Sequence, residues 1–340
     1  MQATRRHFLQ AAAGFTGTAL GITACQPQAQ ISGLSSAQLS RLTIGGSPIL
    51  ITILMAYLAQ ESALVQQVKT IDFKIWKTQD QLRADVVSGK LQVSATPTHV
   101  AANLYQRGVP ITLLNVLVWG ALHMMAREPV IAQWDDLAGR TLLVPFRGGV
   151  PDQLLRYLTT ASGLQPDQDF TIQYTTDFAE AVQLLLAGRG DVAVLSEPAA
   201  TGAQLRGAQQ GVEIQRSLNL SAEWGRITGR APRIPQAGTL ALRSLTETAP
   251  NTLEIIQTGL AAAVNWVNQN PAAAAELGAQ SLELNPIIVE QAISHTQFEF
   301  VSAADARADL EFWFAQLINQ NPKLMGGQLP NADFYHGIST

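Results

Sequence analysis

The stretch Leu186-Ala187-Gly188-Arg189-Gly190-Asp191-Val192-Ala193-Val194-Leu195-Ser196-Glu197-Pro198 carries the reading of the fold. Upstream of it, Asp177 to Gly188 reads as a helix, opened by an Asp cap and closed by a glycine. Asp191-Val192-Ala193-Val194-Leu195 then reads as a strand, apolar from Val192 to Leu195. Ser196-Glu197-Pro198 turns the chain into another helix, reaching to about Leu205. Helix, buried strand, turn and helix in this order are the unit of an α/β protein with mostly parallel sheets.

The same chemistry recurs at three other places. Leu42-Thr43-Ile44 leads through Gly45-Gly46-Ser47-Pro48 into a helical stretch ending near Gln60. Leu91-Gln92-Val93 leads through Ser94-Ala95-Thr96-Pro97 into a helix to Arg107. Thr141-Leu142-Leu143-Val144 leads through Arg147-Gly148-Gly149-Val150-Pro151 into a helix to Ala161. Proline suits the first helical position because its missing N–H has no partner there. Ser47 and Thr96 are suitable N-caps, and glycine permits a sharp turn and close approach of a ligand. Each strand therefore hands over, at its carboxyl edge, to a helix whose free N–H groups face that edge. Ligands of open α/β sheets bind there, and helix N-termini favour anions or hydrogen-bond acceptors. Four such junctions point to a shared cleft.

The C-terminal part reads as helices that pack. Pro250 to Asn270 spaces Leu253, Ile256, Leu260, Val264 and Val267 by three and four residues, and Pro271 stops it. Pro271 to Ser281, Pro286 to His295 and Ala303 to Asn319 follow, with Trp313 and Phe314 read as core.

Composition excludes several functions. The chain has 340 residues, 47% hydrophobic and only 14% charged, so it is not disordered. Its length fits two domains. A formal net charge of −4 without a Lys/Arg run excludes nucleic acid as an expected partner. One cysteine rules out an intramolecular disulfide or a Cys-based metal site. His7, His99, His123, His295 and His336 show no metal-ligand spacing. No GxSxG, Walker or GxGxxG motif occurs. No catalytic constellation, cofactor or metal is expected, although His99, Asp152 and Glu197 could share one cleft.

The N-terminus reads as an address. Thr4-Arg5-Arg6-His7-Phe8-Leu9-Gln10 is a twin-arginine signal, followed by a mild apolar region from Ala11 to Ala24. Ile22-Thr23-Ala24-Cys25 resembles a lipobox, which makes Cys25 the lipidation site. Residues 1–24 are then a signal peptide and 25–40 a polar tether to a membrane anchor. No apolar run is long enough to span a bilayer.

Together, these motifs resemble the periplasmic substrate-binding proteins of ABC importers, in the branch for nitrate, sulfonates, taurine and thiamine-precursor pyrimidines. The resemblance covers roughly residues 41–320. It is carried by Gly45-Gly46-Ser47-Pro48, by Ser88-Gly89-Lys90-Leu91-Gln92-Val93 leading to Thr96-Pro97, by Asp136-Leu137-Ala138-Gly139-Arg140 before Val144-Pro145, and by the opening stretch. It implies an α/β, type II periplasmic binding fold: two α/β lobes joined by two crossover strands around a central ligand cleft. Lobe 1 would be 41–122 plus 238–340 and lobe 2 would be 123–237, crossing near Leu117–Met125 and Ala237–Leu242. A monomer would trap a small-molecule solute by hinge closure in the periplasm or at the outer face of the cell membrane. It would then dock on an ABC permease with its ATPase. Two rivals share the fold. One is a cofactor-biosynthesis enzyme, whose fungal members carry a Cys-rich motif absent here; the other is a lipoprotein that senses without transporting.

The resemblance also maps candidate ligand residues onto the loops. Ser47, Pro48 and Ile49 form the first, with Ser47 alternatively a plain cap. Thr96, Thr98 and His99 form the second, with His99 a donor to ligand or simply solvent-facing. Trp119 and Gly120 sit at a crossover, where Trp119 is either an aromatic wall or core. Arg147, Gly148 and Gly149 form the third loop, and the Arg147 fork suits an oxyanion. Its alternative is a surface ion pair with Asp152. Ser196 permits close approach and Glu197 meets a ligand amine or closes the mouth. Trp224, with Arg226, is a candidate lid residue. This mixture suits a zwitterion, an aromatic heterocycle or a simple anion.

Overall fold

The computed structural model describes residues 39–283 and 285–338. The signal segment, Cys25 and the tether up to residue 38 lie outside the described residues. Leu39, expected in the tether, instead bridges Val68 and accepts from the Lys69 N–H.

The chain begins with β1 (Leu42–Gly46), α1 (Ile51–Leu58), α2 (Ser62–Gln67), β2 (Ile71–Ile75), α3 (Gln79–Val87), β3 (Val93–Pro97), α4 (Thr98–Gln106) and β4 (Ile111–Gly120). It continues with β5 (Leu122–Arg127), β6 (Thr141–Pro145), α5 (Val150–Ala161), β7 (Thr171–Thr175), α6 (Phe178–Leu186), β8 (Val192–Ser196), α7 (Ala199–Gln209), β9 (Ile214–Arg216) and α8 (Leu220–Thr228). It ends with β10 (Ala237–Leu242), α9 (Arg243–Thr248), α10 (Pro250–Gln269), α11 (Pro271–Leu282), α12 (Pro286–Ser294), β11 (Gln297–Ser302) and α13 (Arg307–Gln320).

Two sheets result. One has six strands in the order β11-β4-β10-β3-β1-β2, the other five in the order β7-β6-β8-β5-β9. Parallel pairing is confined to β1 with β2 and β3, and to β6 with β7 and β8. The expectation of mostly parallel sheets needs this correction: β4, β10 and β11, and β5 with its neighbours, pair antiparallel. The reason lies in the connections. Only Ala121 separates β4 from β5, so the chain leaves one sheet and enters the other without the helix that a parallel return needs. It returns through residues 229–236 into β10, which is itself a full member of the six-stranded sheet.

The core follows the two sheets. One apolar cluster fills the space between β1 and β3 and the helices α1, α10, α11 and α12, using the stripe of α10 read from its spacing. Another lies between the five-stranded sheet and α6 and α7. The third runs without a break from Leu82 and Val100, through Trp119 and Trp313, to Leu154 and Trp224, so it joins both sheets. Gly45 allows β1 to lie against β2; a Cβ there would fall 1.8 Å from the Lys74 carbonyl oxygen.

Candidate functional site

The strand-to-helix loops open on a cavity of about 480 Å³. Residues around β1, β2 and β3 line one part of it, residues after β6 and β8 another, and the two crossing segments contribute Val118, Ala121, Leu122, Gln236 and Ala237. Its size is that of a small-molecule site.

Several helices start at this cavity. In α1, α4, α5 and α7 the N-cap residue makes no side-chain cap, although in α7 Glu197 Oε2 accepts from the first-turn Thr201 N–H at 3.2 Å. α3 and α6, whose first residues also line the cavity, are capped by Thr78 and Asp177, as α8 and α12 are by Asn219 and Asn285. The caps expected from Ser47 and Thr96 are absent. Leu50 and Pro97 hold the cap positions, and only Pro151 of the four prolines stands inside its helix start. First-turn N–H groups otherwise have no partner. Those of His99 and Val100 in α4, and of Val150 and Asp152 in α5, stay available to an acceptor beside the cavity.

Of the residues singled out from sequence, Ser47, Ile49, His99, Gly149, Ser196 and Glu197 line the cavity. The others sit elsewhere, each for a visible reason. Pro48 is exposed on the loop's outer side. Thr96 is fully buried within β3, and Thr98 is held by the return crossing, its hydroxyl donating to the Pro235 carbonyl at 2.6 Å. Trp119 is core: it is fully buried, its indole N–H donates to the Glu299 carbonyl at 3.1 Å, and Arg233 covers its ring. Gly120 is wedged against Ser221 and Gln297. Trp224 is buried against Tyr157, Phe312 and Trp313, and Arg226 pairs with Glu223.

Arg147 departs furthest from expectation. It is exposed and lies over the Tyr174 ring, 5.0 Å from its centroid, away from the cavity. Asp152 does not pair with it. That carboxylate is buried and receives Arg156, the Tyr174 hydroxyl and the Gly148 N–H, so it fixes the loop and is not free for chemistry. Gly148 takes a positive φ of 74°, and its carbonyl accepts from Asn321 Nδ2 at 2.8 Å.

Other lining residues carried no strong signal. Ile71 to Ile75 forms a half-buried strand, alternating with Asp72 and Lys74, and it delivers Trp76, Lys77, Thr78 and Gln79 to the cavity. A period-two alternation of this kind was the available clue. Phe146, Phe178, Thr296 and Leu324 also line it, and so does Trp313, which serves core and cavity together.

Few charges reach the interior. Glu197 is 4% exposed, and its carboxylate is held by Arg216 and by the Thr201 N–H at 3.2 Å. Arg216 is further bound by Gln204 and Thr201. Lys77 stands on the exposed rim. Burial drives the His99 pKa down to about 4, so its imidazole is neutral at ordinary pH. Burial also lowers His123, partly opposed by Glu197. Gln236 accepts from the Ala121 N–H at 2.7 Å, which orients its amide and leaves Nε2 free beside the cavity.

Residues 68–282 match the NMT1-like family. The chain belongs to that family. The NMT1-like chain has the type II periplasmic binding fold. It is similar to an ABC transporter structure from Parabacteroides distasonis, with a TM-score of 0.72 at 19% identity over 88% of this chain and 98% of that one. The periplasmic aliphatic sulphonate binding protein of Escherichia coli superposes with a TM-score of 0.65 at 17% identity, covering 87% and 95% of the two chains. In sequence, 79 residues are 32% identical to a putative binding protein of Bacillus subtilis (strain 168). That match takes in 23% of this chain and spans 24% of the relative's length.

Proposed function

We propose that this protein is the extracytoplasmic solute-binding subunit of an ABC importer. The observation that carries the reading is the cavity itself, walled by both sheets and faced by the free first-turn N–H groups of α4 and α5. Solute enters between the sheets, the crossing segments flex, and closure removes it from water. The closed form then docks on a permease with its ATPase, and the chain acts as a monomer. Ser47, Ile49, His99, Gly149, Ser196 and Glu197 contact the solute. Membership of the NMT1-like family and the fold shared with a sulphonate binding protein support this role. An acceptor-rich group on the solute would meet the N–H groups of His99, Val100, Val150 and Asp152.

The protein is lipid-anchored through Cys25, and the twin-arginine signal directs its export. Among the described residues no helix is long and apolar enough to cross a membrane, so the anchor is what would hold the domain there. Mass spectrometry of small molecules released from natively purified protein tests the binding role: one stoichiometric solute is expected. Recovery of protein with no retained solute, and none taken up from a cell extract, would remove the basis for it. In parallel, Cys25→Ser is expected to move the protein from the membrane to the soluble envelope fraction.

A further inference from the structure

Four charged or titratable residues from both sheets gather beside the first crossing, and solute contact accounts for only one of them. Glu197, which lines the cavity, is 4% exposed. Arg216 of β9 holds its Oε1, and His123 of β5 places Nε2 3.5 Å from the same oxygen. His123 donates instead to the His295 carbonyl at 2.9 Å, and the two imidazoles stand edge to face with centroids 6.3 Å apart. His295 belongs to the turn before β11, so this contact spans the two sheets. The cluster also reaches the crossing itself. The Glu197 N–H donates to the Ala121 carbonyl at 2.8 Å, and Ala121 alone separates β4 from β5.

Arg216 and His295 also line an open recess of about 720 Å³ along β9, which shares no lining residue with the solute cavity. Water and protons therefore reach the cluster without passing the solute. Other charges on the surrounding elements are engaged or turned outward. On β5 itself, Arg127 donates to the Leu185 and Leu186 carbonyls. α8 packs on the other face of β5, where Leu122, Met124 and Ala126 join the same apolar cluster as Leu220 and Trp224, and its Glu223 and Arg226 pair with each other. Arg206 on α7, Glu213 before β9 and Glu290 on α12 are exposed. Among the described residues, the charges that act on His123 are thus Glu197, Arg216 and His295.

We infer that these four residues form an acid-sensitive latch, which holds the two sheets in the enclosed form near neutral pH and lets go on acidification. This rests on the closure that the solute-binding reading requires. A neutral His123 serves the His295 carbonyl with one N–H. A proton added to it makes a second cation beside Arg216, with a third at His295, against the single Glu197 carboxylate. Burial opposes that proton in the enclosed form and holds His123 below its ordinary value. Once the sheets part, His123 is hydrated and takes the proton at that ordinary value. Acid therefore favours the open form, by up to about tenfold in the open-to-enclosed ratio per pH unit for each proton taken up.

Pulsed electron paramagnetic resonance reads the latch without any solute. Spin labels go on Asp80→Cys and Thr176→Cys, two exposed positions near the cavity-lining Gln79 and Phe178 and carried by opposite sheets. Cys25→Ser removes the one other thiol of the chain. Protein freed of solute by unfolding and refolding is expected to show a short and a long distance, the short one losing severalfold in population between pH 7.5 and pH 5. His123→Gln keeps a side-chain N–H for the His295 carbonyl and does not titrate, so its populations should stay constant over that range while its melting temperature at pH 7.5 matches the parent's. His123→Ala lacks the bond and should favour the long distance at both pH values. A pH-independent distribution in the parent, a single distance at both pH values, or a shift in His123→Gln as steep as the parent's would overturn the latch. Each of these leaves the solute-binding role standing, because the solute retained on native purification judges that separately.

Discussion

The Nε2–H of His123 donates to the carbonyl oxygen of His295 at 2.9 Å, tying β5 of the five-stranded sheet to the turn that precedes β11 of the six-stranded one. A carbonyl can only accept, so the bond fixes which nitrogen carries the proton. Behind His123 stands Glu197, 3.5 Å from the same nitrogen and gripped by Arg216. A second bond of this kind joins Asn321 Nδ2 to the Gly148 carbonyl. Both bonds would break if the sheets moved apart, so they favour the form in which the cavity is enclosed.

His123→Ala should therefore speed solute release. One neutral hydrogen bond contributes about 0.5–1.5 kcal/mol net, which corresponds to roughly two- to twelvefold in the dissociation rate. Stopped-flow displacement of the co-purified solute checks this. Asn321→Ala should act in the same direction, and the double variant should show the two effects adding. An unchanged rate in all three would mean the bonds do not hold the closed form.

The histidines give stability a defined dependence on pH. His99 binds its proton at about pH 4 when folded, against an ordinary value of 6.5. As pH falls below 6.5 the unfolded chain protonates first, so stability declines between 6.5 and 4 and levels off below that. The His99 share is roughly 3 kcal/mol at most. His123 and His295 are lowered too and work in the same direction. Urea unfolding at pH 7 and pH 4.5 should show His99→Gln losing less stability on acidification than the wild type.

Arg216 and Glu197 should behave as a coupled pair. Arg216→Met leaves the Glu197 carboxylate buried without its cation and should destabilise by about 3–5 kcal/mol. Adding Glu197→Gln removes the unpaired charge and should return much of that stability. Denaturant unfolding of the two single variants and the double variant measures the coupling. Simple additivity would show that the ion pair is not what holds the β8–α7 loop.

The fold was legible because its signals are local. Glycine and proline punctuate each strand, and Val192 to Leu195 or Leu142 to Val144 are apolar without a break, as burial on both faces requires. The site was less legible because lining depends on which way each side chain turns. Val118 reaches the cavity while its neighbour Trp119 points into the core, a difference of one residue in a strand with period two. Arg147 carries the charge that an oxyanion contact needs, yet the neighbouring Tyr174 ring captures it outside the cavity. Phe146, one residue earlier, borders the cavity from a position of positive φ that no composition announces. Trp76 gives no sequence signal as a lining residue, because its strand alternates with charged residues and lies at the sheet edge.

Closure of the two sheets around a solute is the central claim, and small-angle X-ray scattering tests it most directly. Protein freed of bound solute by unfolding and refolding would be compared with the same protein saturated with the solute identified by mass spectrometry. The account predicts a smaller radius of gyration in the saturated sample, reversed when the solute is dialysed away. An unchanged radius at saturation would contradict it.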